Sequence, residues 1–385
     1  MNPEGTSPSP ELHRERLDRA RTAAAAHDLD ALFVIPGPDL AYLIGAHIGA
    51  TGGYRERLTA LLIPTDDRPA HLIVSNLELS SYRHLDLDAI GVHTAPWADG
   101  QDPFRLVADR LTGARRIAVS DHTYALHTMG LHDALPDAEQ ALAGPVLAEL
   151  RTRKDPAEIE ALRAAAAAID RVHALVPDWL RPGRTEADIG ADITAAILEE
   201  GHTRADFVIV GSGPNAANPH HGVSARRLEP GDLVLVDMGG PHQHGYFSDC
   251  TRTYALGQPP RQALEAYAIL QEAQAAAVDA VRPGATAEDI DTAARSIIDG
   301  AGWGEHFIHR TGHGIGLDVH EPPAIQPGST APLEPGMTFS VEPGLYQQSL
   351  YQQGQWGARI EDIVLVTDTG VEPLNHRPRQ LRVIP

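Results

Sequence analysis

Four acidic residues stand at the end of, or inside, the most apolar strand-forming runs of this chain, where burial costs a charged group most. "GDLVLVDMGG" places Asp237 at the end of "LVLV", and "FSDCTRTY" carries Asp249. "MTFSVE" ends in Glu342, and "ARIEDIVLVT" encloses Glu361. A buried, unpaired carboxylate costs several kcal/mol, so such side chains are normally paired or bound to a cation. Side chains alternate along a strand. Leu233, Leu235 and Asp237 therefore share one face, and Asp249 and Thr251 share another, with Cys250 turned away. Arg359, Glu361 and Ile363 likewise share a face that Asp362 avoids. The stretch containing Asp237 and Asp249 reads as a hairpin closed by a Gly/Pro turn. If the two aspartates lie directly opposite, they stand roughly 5 Å apart. Both then ionise only with a cation between them.

Each feature alone has a plainer reading. A lone Asp at a strand end is commonly a turn residue, and a Glu beside an Arg is an ordinary ion pair. Cys250 reads as a small core residue. His242 and His244, in the hairpin loop, read as solvated, and the Gln-rich "QQSLYQQGQWG" carries no evident chemistry.

The rest of the chain limits the setting. Its 385 residues suffice for two domains, and no run approaches the ~20 apolar residues of a membrane helix. With 31 basic against 52 acidic residues, a formal charge of −21, neither nucleic acid nor an anionic membrane is an expected partner. A single cysteine excludes an internal disulfide and fits a reducing compartment, so a cytoplasmic location is expected. The N-terminus, "MNPEGTSPSPELHRERLD", lacks the order of a signal peptide and reads as a short disordered tail.

Residues 11–29 read as a helix. "ALFVIPG", "DLAYLIG", "RLTALLIP" and "AHLIVS" read as strands, followed by a helix near 102–113 and the strand "RRIAVSD". This is an α/β domain without a dense His/Asp/Glu cluster, hence accessory or for assembly. The boundary is expected near residue 153, giving domains 1–153 and 154–385. Asp155 and Pro156 fit the N-cap and first position of a long alanine-rich helix. Beyond it, helices are expected at 185–201, 261–281 and 286–301. Strands are expected at 206–211, 232–238, 246–255, 337–342 and 358–367. No internal repeat stands out.

"FIHRTGHGIGLDVHEPP" then sets His309, His313 and His320 among glycines suited to close backbone approach. "VDMGG…GYFSDCTRTY", "HRTGHGIGLDVHE", "SVEPGLY" and "RIEDIVLVT", in this order, resemble the pita-bread-fold metallopeptidases. That group includes methionine aminopeptidase, aminopeptidase P, prolidase and creatinase. The resemblance implies an α/β (α+β) chain, with a creatinase/prolidase-type N-terminal domain before a pita-bread catalytic domain. It also implies two divalent metals held by Asp237, Asp249, His313, Glu342 and Glu361, with Asp249 and Glu361 shared between both. So hard and oxygen-rich a set suits Mn2+, with Co2+ or Zn2+ as alternatives. A bridging water would be the nucleophile. Glu342 would take its proton and relay it to the leaving nitrogen. His320 would hydrogen-bond the substrate carbonyl or its tetrahedral successor. His220 in "NPHHGVS", rather than His221, would contact substrate. His309 and Arg359 would support the ligands or the substrate. A homodimer is expected on the same ground.

Arg359 and the long N-terminal domain favour the Xaa-Pro branch, whose substrates present a tertiary amide. The intact ligand set argues against a creatinase or a metal-free protein-binding module. Prolidases often carry an arginine after "HE" to hold a dipeptide's carboxylate; Ala324 stands there instead. The segments from Asp237 to Asp249 and from Glu342 to Glu361 are longer than in many relatives. The expected function is a metal-dependent exopeptidase cutting between an N-terminal residue and proline in small peptides. The alternatives are a related aminopeptidase without strict proline preference, or a silent binding module.

Overall fold

The computed structural model describes residues 9–47, 56–348 and 354–385. Most of the expected N-terminal tail and the centre of the Gln-rich loop lie outside them. The chain divides into two compact units, Met1–Arg151 and Thr152–Pro385. Among the described residues no helix is long and apolar enough to cross a membrane.

The first unit runs α1 (Pro10–Ala26), β1 (Ala31–Val34), α2 (Pro38–Ile44), β2 (Ala60–Pro64) and β3 (Ala70–Ser75). It continues with α3 (Leu87–Ile90), β4 (Val92–Trp97), α4 (Pro103–Arg110), β5 (Arg116–Val119), α5 (Ala125–Ala134), β6 (Glu139–Leu142) and α6 (Gly144–Arg151). Its strands form one mixed six-stranded sheet in the order β4-β3-β2-β1-β5-β6. The segment "DLAYLIG", expected as a strand, is helix α2. Pro38 sits in its first turn, where a fixed φ favours a helical start. Gly45, in the left-handed region at φ 74°, ends it. Leu40, Ala41, Tyr42, Leu43 and Ile44 are all buried, so no polar face betrays the helical period.

The second unit opens with α7 (Pro156–Trp179), α8 (Glu186–Glu199), β7 (Phe207–Ser212), β8 (Leu233–Pro241) and β9 (Phe247–Leu256). Next come α9 (Arg261–Ala280), α10 (Ala287–Gly300), β10 (Gly312–Gly314), β11 (Glu321–Ile325) and β12 (Thr338–Val341). Last are β13 (Gly344–Gln347), β14 (Trp356–Arg359), β15 (Asp362–Val366), β16 (Val371–Pro373) and β17 (Arg382–Ile384). Asp155 caps α7 as expected, in a reciprocal capping box with Glu158.

This unit contains the repeat that composition hides. "RPGRTEADI" (181–189) joins α7 to α8, and "RPGATAEDI" (282–290) joins α9 to α10. Gly183 and Gly284 take left-handed φ values of 85° and 83°. Thr185 and Thr286 each close a capping box with the Asp three residues on. The two turns dock alike: Gly183 N donates to Leu228 O and Gly284 N to Leu333 O, both at 2.9 Å. Those leucines begin "LEPGDLVLVD" and "LEPGMTFSVE", which end in Asp237 and Glu342. Two of the anomalous carboxylates are thus equivalent positions of one duplicated unit.

α7 and α8 cover one face of the sheet β17-β9-β8-β7, burying Val234, Val236, Met238 and Cys250 with Ile169 and Ile193. α9 and α10 pack against β12, β13, β14 and β15 through Leu270, Ile290, Phe339 and Val364. The hairpin register departs from a direct Asp237–Asp249 pairing. Asp237 lies opposite Thr251, and Asp249 opposite Gly239. The aspartates are diagonal neighbours on one face, because Pro241 pairs with Phe247 around a longer loop. In that loop His242 is buried rather than solvated, its ring 5.4 Å from that of His202. The expected strand 358–367 is also two strands. β14 pairs with β13, β15 pairs with β12, and Ile360 and Glu361 form the kink between the sheets. Glu342 occupies the matching kink between β12 and β13.

The glycines around His313 are there for contact rather than for an unusual φ. A Cβ on Gly312 would fall 1.8 Å from Ser340 O, on the neighbouring strand. Gly312→Ala is therefore expected to push β10 off β12 and destabilise the protein by about 1–3 kcal/mol. Denaturant unfolding measures this, and an unchanged midpoint would contradict the close packing.

Candidate active site

The two kinks and the hairpin deliver their carboxylates to one place. Asp249, His313 and Glu361 each offer a ligand atom within 4.8 Å of the others. Glu342 Oε1 stands 3.2 Å from His313 Nε2, and Asp249 Oδ2 stands 3.7 Å from it. His313 Nδ1 lies 3.1 Å from Gly314 O. With Nδ1 turned to that carbonyl, Nε2 is aimed at the carboxylates.

Neighbouring side chains fix the rest. Arg359 donates from Nη2 to Asp237 Oδ2 at 2.5 Å, from Nε to Thr251 Oγ1 at 3.0 Å and from Nη1 to Tyr346 Oη at 2.7 Å. Thr251 Oγ1 donates to Glu361 Oε2 at 2.7 Å. Ser340 Oγ accepts from His313 N at 3.0 Å and donates to Glu342 Oε1 at 3.1 Å. Behind them, His309 Nε2 meets Tyr346 Oη at 3.0 Å while its Nδ1 faces Arg310 O at 2.7 Å. The site reading from sequence passed over Thr251, Ser340 and Tyr346. Strand parity already placed Thr251 on Asp249's face, and that was the available signal.

The donors leave the inner oxygens bare. Asp237 Oδ1, Asp249 Oδ1 and Glu361 Oε1 are buried and have no hydrogen-bond partner among the described residues. Burial, with the charges of Glu361, Asp237 and Glu342, pushes the Asp249 carboxyl far above its ordinary range. Burial, with Glu342 and Asp237, does the same to Glu361. Asp237 is raised by burial despite the opposing Arg359. Glu342 moves the other way: against burial, the hydrogen bond and charge of His313 hold it down at about 2. One guanidinium and one imidazole cannot balance four carboxylates at this depth. Bare hard oxygens with an oriented imidazole nitrogen fit divalent cations.

Residues 160–368 match the model of metallopeptidase family M24, and residues 16–153 match that of the Creatinase/Prolidase N-terminal domain. The chain belongs to metallopeptidase family M24. It is 50% identical over 376 residues to the probable dipeptidase PepE of Mycobacterium bovis, covering 97% of each chain. It is 37% identical to the Xaa-Pro dipeptidase of Lactobacillus helveticus, covering 90% of this chain and 95% of the relative. The crystal structure of dipeptidase PepE from Mycobacterium ulcerans superposes with a TM-score of 0.91 at 49% identity, covering 99% of this chain and 100% of that one. This M24 member is therefore a metal-dependent peptidase with the creatinase/prolidase N-terminal domain and the pita-bread catalytic domain.

Around the M24 cluster the remaining histidines divide. His320 is exposed, with its ring centroid 4.1 Å from that of His313. Partial desolvation and the charges of His313 and Arg310 depress it to about 4, so the ring is neutral at pH 7. Burial likewise lowers His309. His220 is exposed, whereas His221 is tied through Nε2 to the fully buried Glu186 at 2.8 Å. Ala324 sits directly across from His313 in the β10–β11 pair.

The raised carboxyls give a pH signature. Their folded pKa values exceed the unfolded ones, so their contribution favours the fold below the ordinary carboxylate range. It is lost as the pH rises through the raised values, where the contribution of the depressed Glu342 is already complete and no longer changes. Metal-free enzyme is expected to lose melting temperature as the pH rises above the ordinary carboxylate range, and metal-loaded enzyme much less. Calorimetry on both forms checks this, and parallel pH curves would refute it.

Proposed function

We propose that this chain is an Xaa-Pro dipeptidase. It hydrolyses the bond between an N-terminal residue and proline, using two divalent ions, Mn2+ by preference, held by Asp237, Asp249, His313, Glu342 and Glu361. The observation that carries the reading is the set of three bare, buried carboxylate oxygens beside a single oriented imidazole. When bound, the ions supply Lewis-acid polarisation of the carbonyl and an acidified water.

The chain's own groups do the rest. Glu342, kept ionised by His313, accepts a proton at its carboxylate and passes it to the departing nitrogen. That transfer matters here, because an Xaa-Pro amide nitrogen carries no hydrogen and leaves only after receiving one. His320, neutral at pH 7, donates a ring N–H to the substrate carbonyl oxygen, where charge develops. His220 contacts the substrate from the loop that His221 and Glu186 anchor. Arg359 aims Asp237 by holding Oδ2 and leaving Oδ1 free, and Tyr346 and His309 hold Arg359 in turn.

Dipeptides are favoured by the names of the relatives, a dipeptidase and an Xaa-Pro dipeptidase. One observation favours longer substrates, as in an aminopeptidase P. Position 324, facing His313, is an alanine that cannot hold a carboxylate. The single cysteine, buried at position 250, supports a reducing cytoplasm, and the family resemblance supports a homodimer.

Manganese-loaded enzyme is expected to cleave Ala-Pro in preference to Ala-Pro-Ala and to lose both activities to a chelator. Preference for the tripeptide would move the assignment to an aminopeptidase, and no metal-dependent cleavage of either would sink the proline reading. Asp249→Ala and His313→Ala should each lower kcat/KM by about a thousandfold or more while the circular dichroism spectrum stays native. Normal turnover in a folded variant whose metal content has been verified would remove these residues from the ligand set.

A further inference from the structure

Of the 31 Lys and Arg residues, one is a lysine. Lysine side chains almost always end in solvent. Lys154 does not: its Nζ meets Glu321 Oε1 at 2.5 Å, and the two side chains are 1% and 5% exposed. The backbone around it is fixed as well. Lys154 N donates to Gly336 O at 2.8 Å, and Arg153 forms a β-bridge with Met337, next to the start of β12.

Glu321 follows His320 directly and opens β11. It pairs with Gly314 across β10, just past an irregularity at His313. The segment from His313 to His320 is thus a loop closed by the Gly314–Glu321 pair, with a histidine at each end. The Glu321 carboxylate also lies against this loop's backbone, since a Cβ on Gly316 would fall 2.5 Å from Oε1. Lys154 therefore grips the residue that sets where the second histidine stands relative to the first. A buried ion pair is a weak source of stability, because desolvation offsets much of its attraction, but it fixes geometry.

We propose that Lys154 is a positioning residue for hydrolysis: its buried ammonium holds Glu321 and thereby sets His320 beside the His313 ring. The proposal rests on the reading of His320 as the donor to the substrate carbonyl. Lys154 itself touches no substrate. Its effect falls on turnover, with substrate capture and metal binding spared.

The test uses manganese-loaded K154M, E321Q, H320A and the double variant K154M/H320A on Ala-Pro. K154M is expected to lower kcat by about 10- to 100-fold, with KM within about threefold of wild type and full metal content. K154R should recover part of the loss. In the H320A background, K154M should cost less than about threefold more. Losses that multiply in the double variant, or wild-type turnover by folded K154M, would overturn the proposal. If K154M does not fold, K154M/E321Q, which leaves no unpaired buried charge, takes its place with the same expectations.

Histidine-labelled, zinc-loaded enzyme supplies a readout without substrate. The His320 ring resonance, assigned by its absence in H320A, should shift in K154M, and an unmoved resonance would refute the contact. Wild-type turnover by H320A would instead remove the donor reading of His320, and with it the catalytic part of this proposal. The resonance would still report whether Lys154 positions the ring.

Discussion

Four carboxylates share one buried volume, and their mutual repulsion is the constraint around which the catalytic unit is organised. Burial alone would protonate them, and proximity compounds burial for Asp249 and Glu361. The protein answers only part of this charge. Arg359 neutralises Asp237 on its outer oxygen, and His313 steadies Glu342. Thr251 and Ser340 add hydroxyl donors, each bonded to one oxygen of a glutamate. Every donor stands to one side, and the oxygens left bare belong to three different elements. A metal-free fold carries this as unfavourable free energy, which a cation bound at the bare oxygens relieves.

The fold meets the constraint by duplication. Each half supplies two helices joined by an RPG turn and a strand that carries a carboxylate within it or just past its end. The same glycine-to-leucine hydrogen bond docks each turn at the head of its strand. Asp237 and Glu342 then diverge by one methylene and by surroundings. Asp237 is inside a long hairpin strand, whereas Glu342 lies where β12 gives way to β13. Its partner strand bends at the same level to present Glu361. The paired kinks bring two glutamates to the carboxylate cluster while the flanking residues stay in regular ladders. Their backbone groups keep partners: Glu342 N donates to Thr311 O at 2.8 Å, and Glu361 N to Thr251 O at 3.2 Å.

Much of this was legible in the sequence. A carboxylate inside an apolar alternating run is a contradiction on the page, so Asp237, Asp249, Glu342 and Glu361 announce themselves. Strand parity correctly turns Cys250 and Asp362 away: Cys250 joins the core and Asp362 pairs with Arg252 at 2.6 Å. What stayed hidden depends on information that local pattern lacks. Period-2 alternation says which face a residue takes but not its register, so the Asp237–Asp249 offset waits on the hairpin loop. It also survives a kink, which is why two strands read as one across Glu361. Helix α2 is buried all round and shows no period. His242 reads as solvated because loops usually are, but the segment after α8, carrying His202, bridges to it and covers it. The repeat escaped notice because it is carried by turns and caps, while the helices between them are alanine-rich and interchangeable.

The protonation pattern sets the four carboxylates apart from one another before any cation is considered. Against burial, the His313 hydrogen bond and the nearby charges of His313, His309 and Arg359 hold Glu342 ionised. Asp249 and Glu361 are pushed the opposite way by their neighbours, so they give protons up only to a cation. Asp237 lies between, raised by burial and restrained by Arg359. A site in which all four carboxylates were equally paired would bind cations but have no distinct base. The asymmetry comes from where each residue sits in the sheets and which donor reaches it. On the proposed reading, Thr251, Ser340 and Arg359 therefore matter to catalysis as much as the side chains they hold.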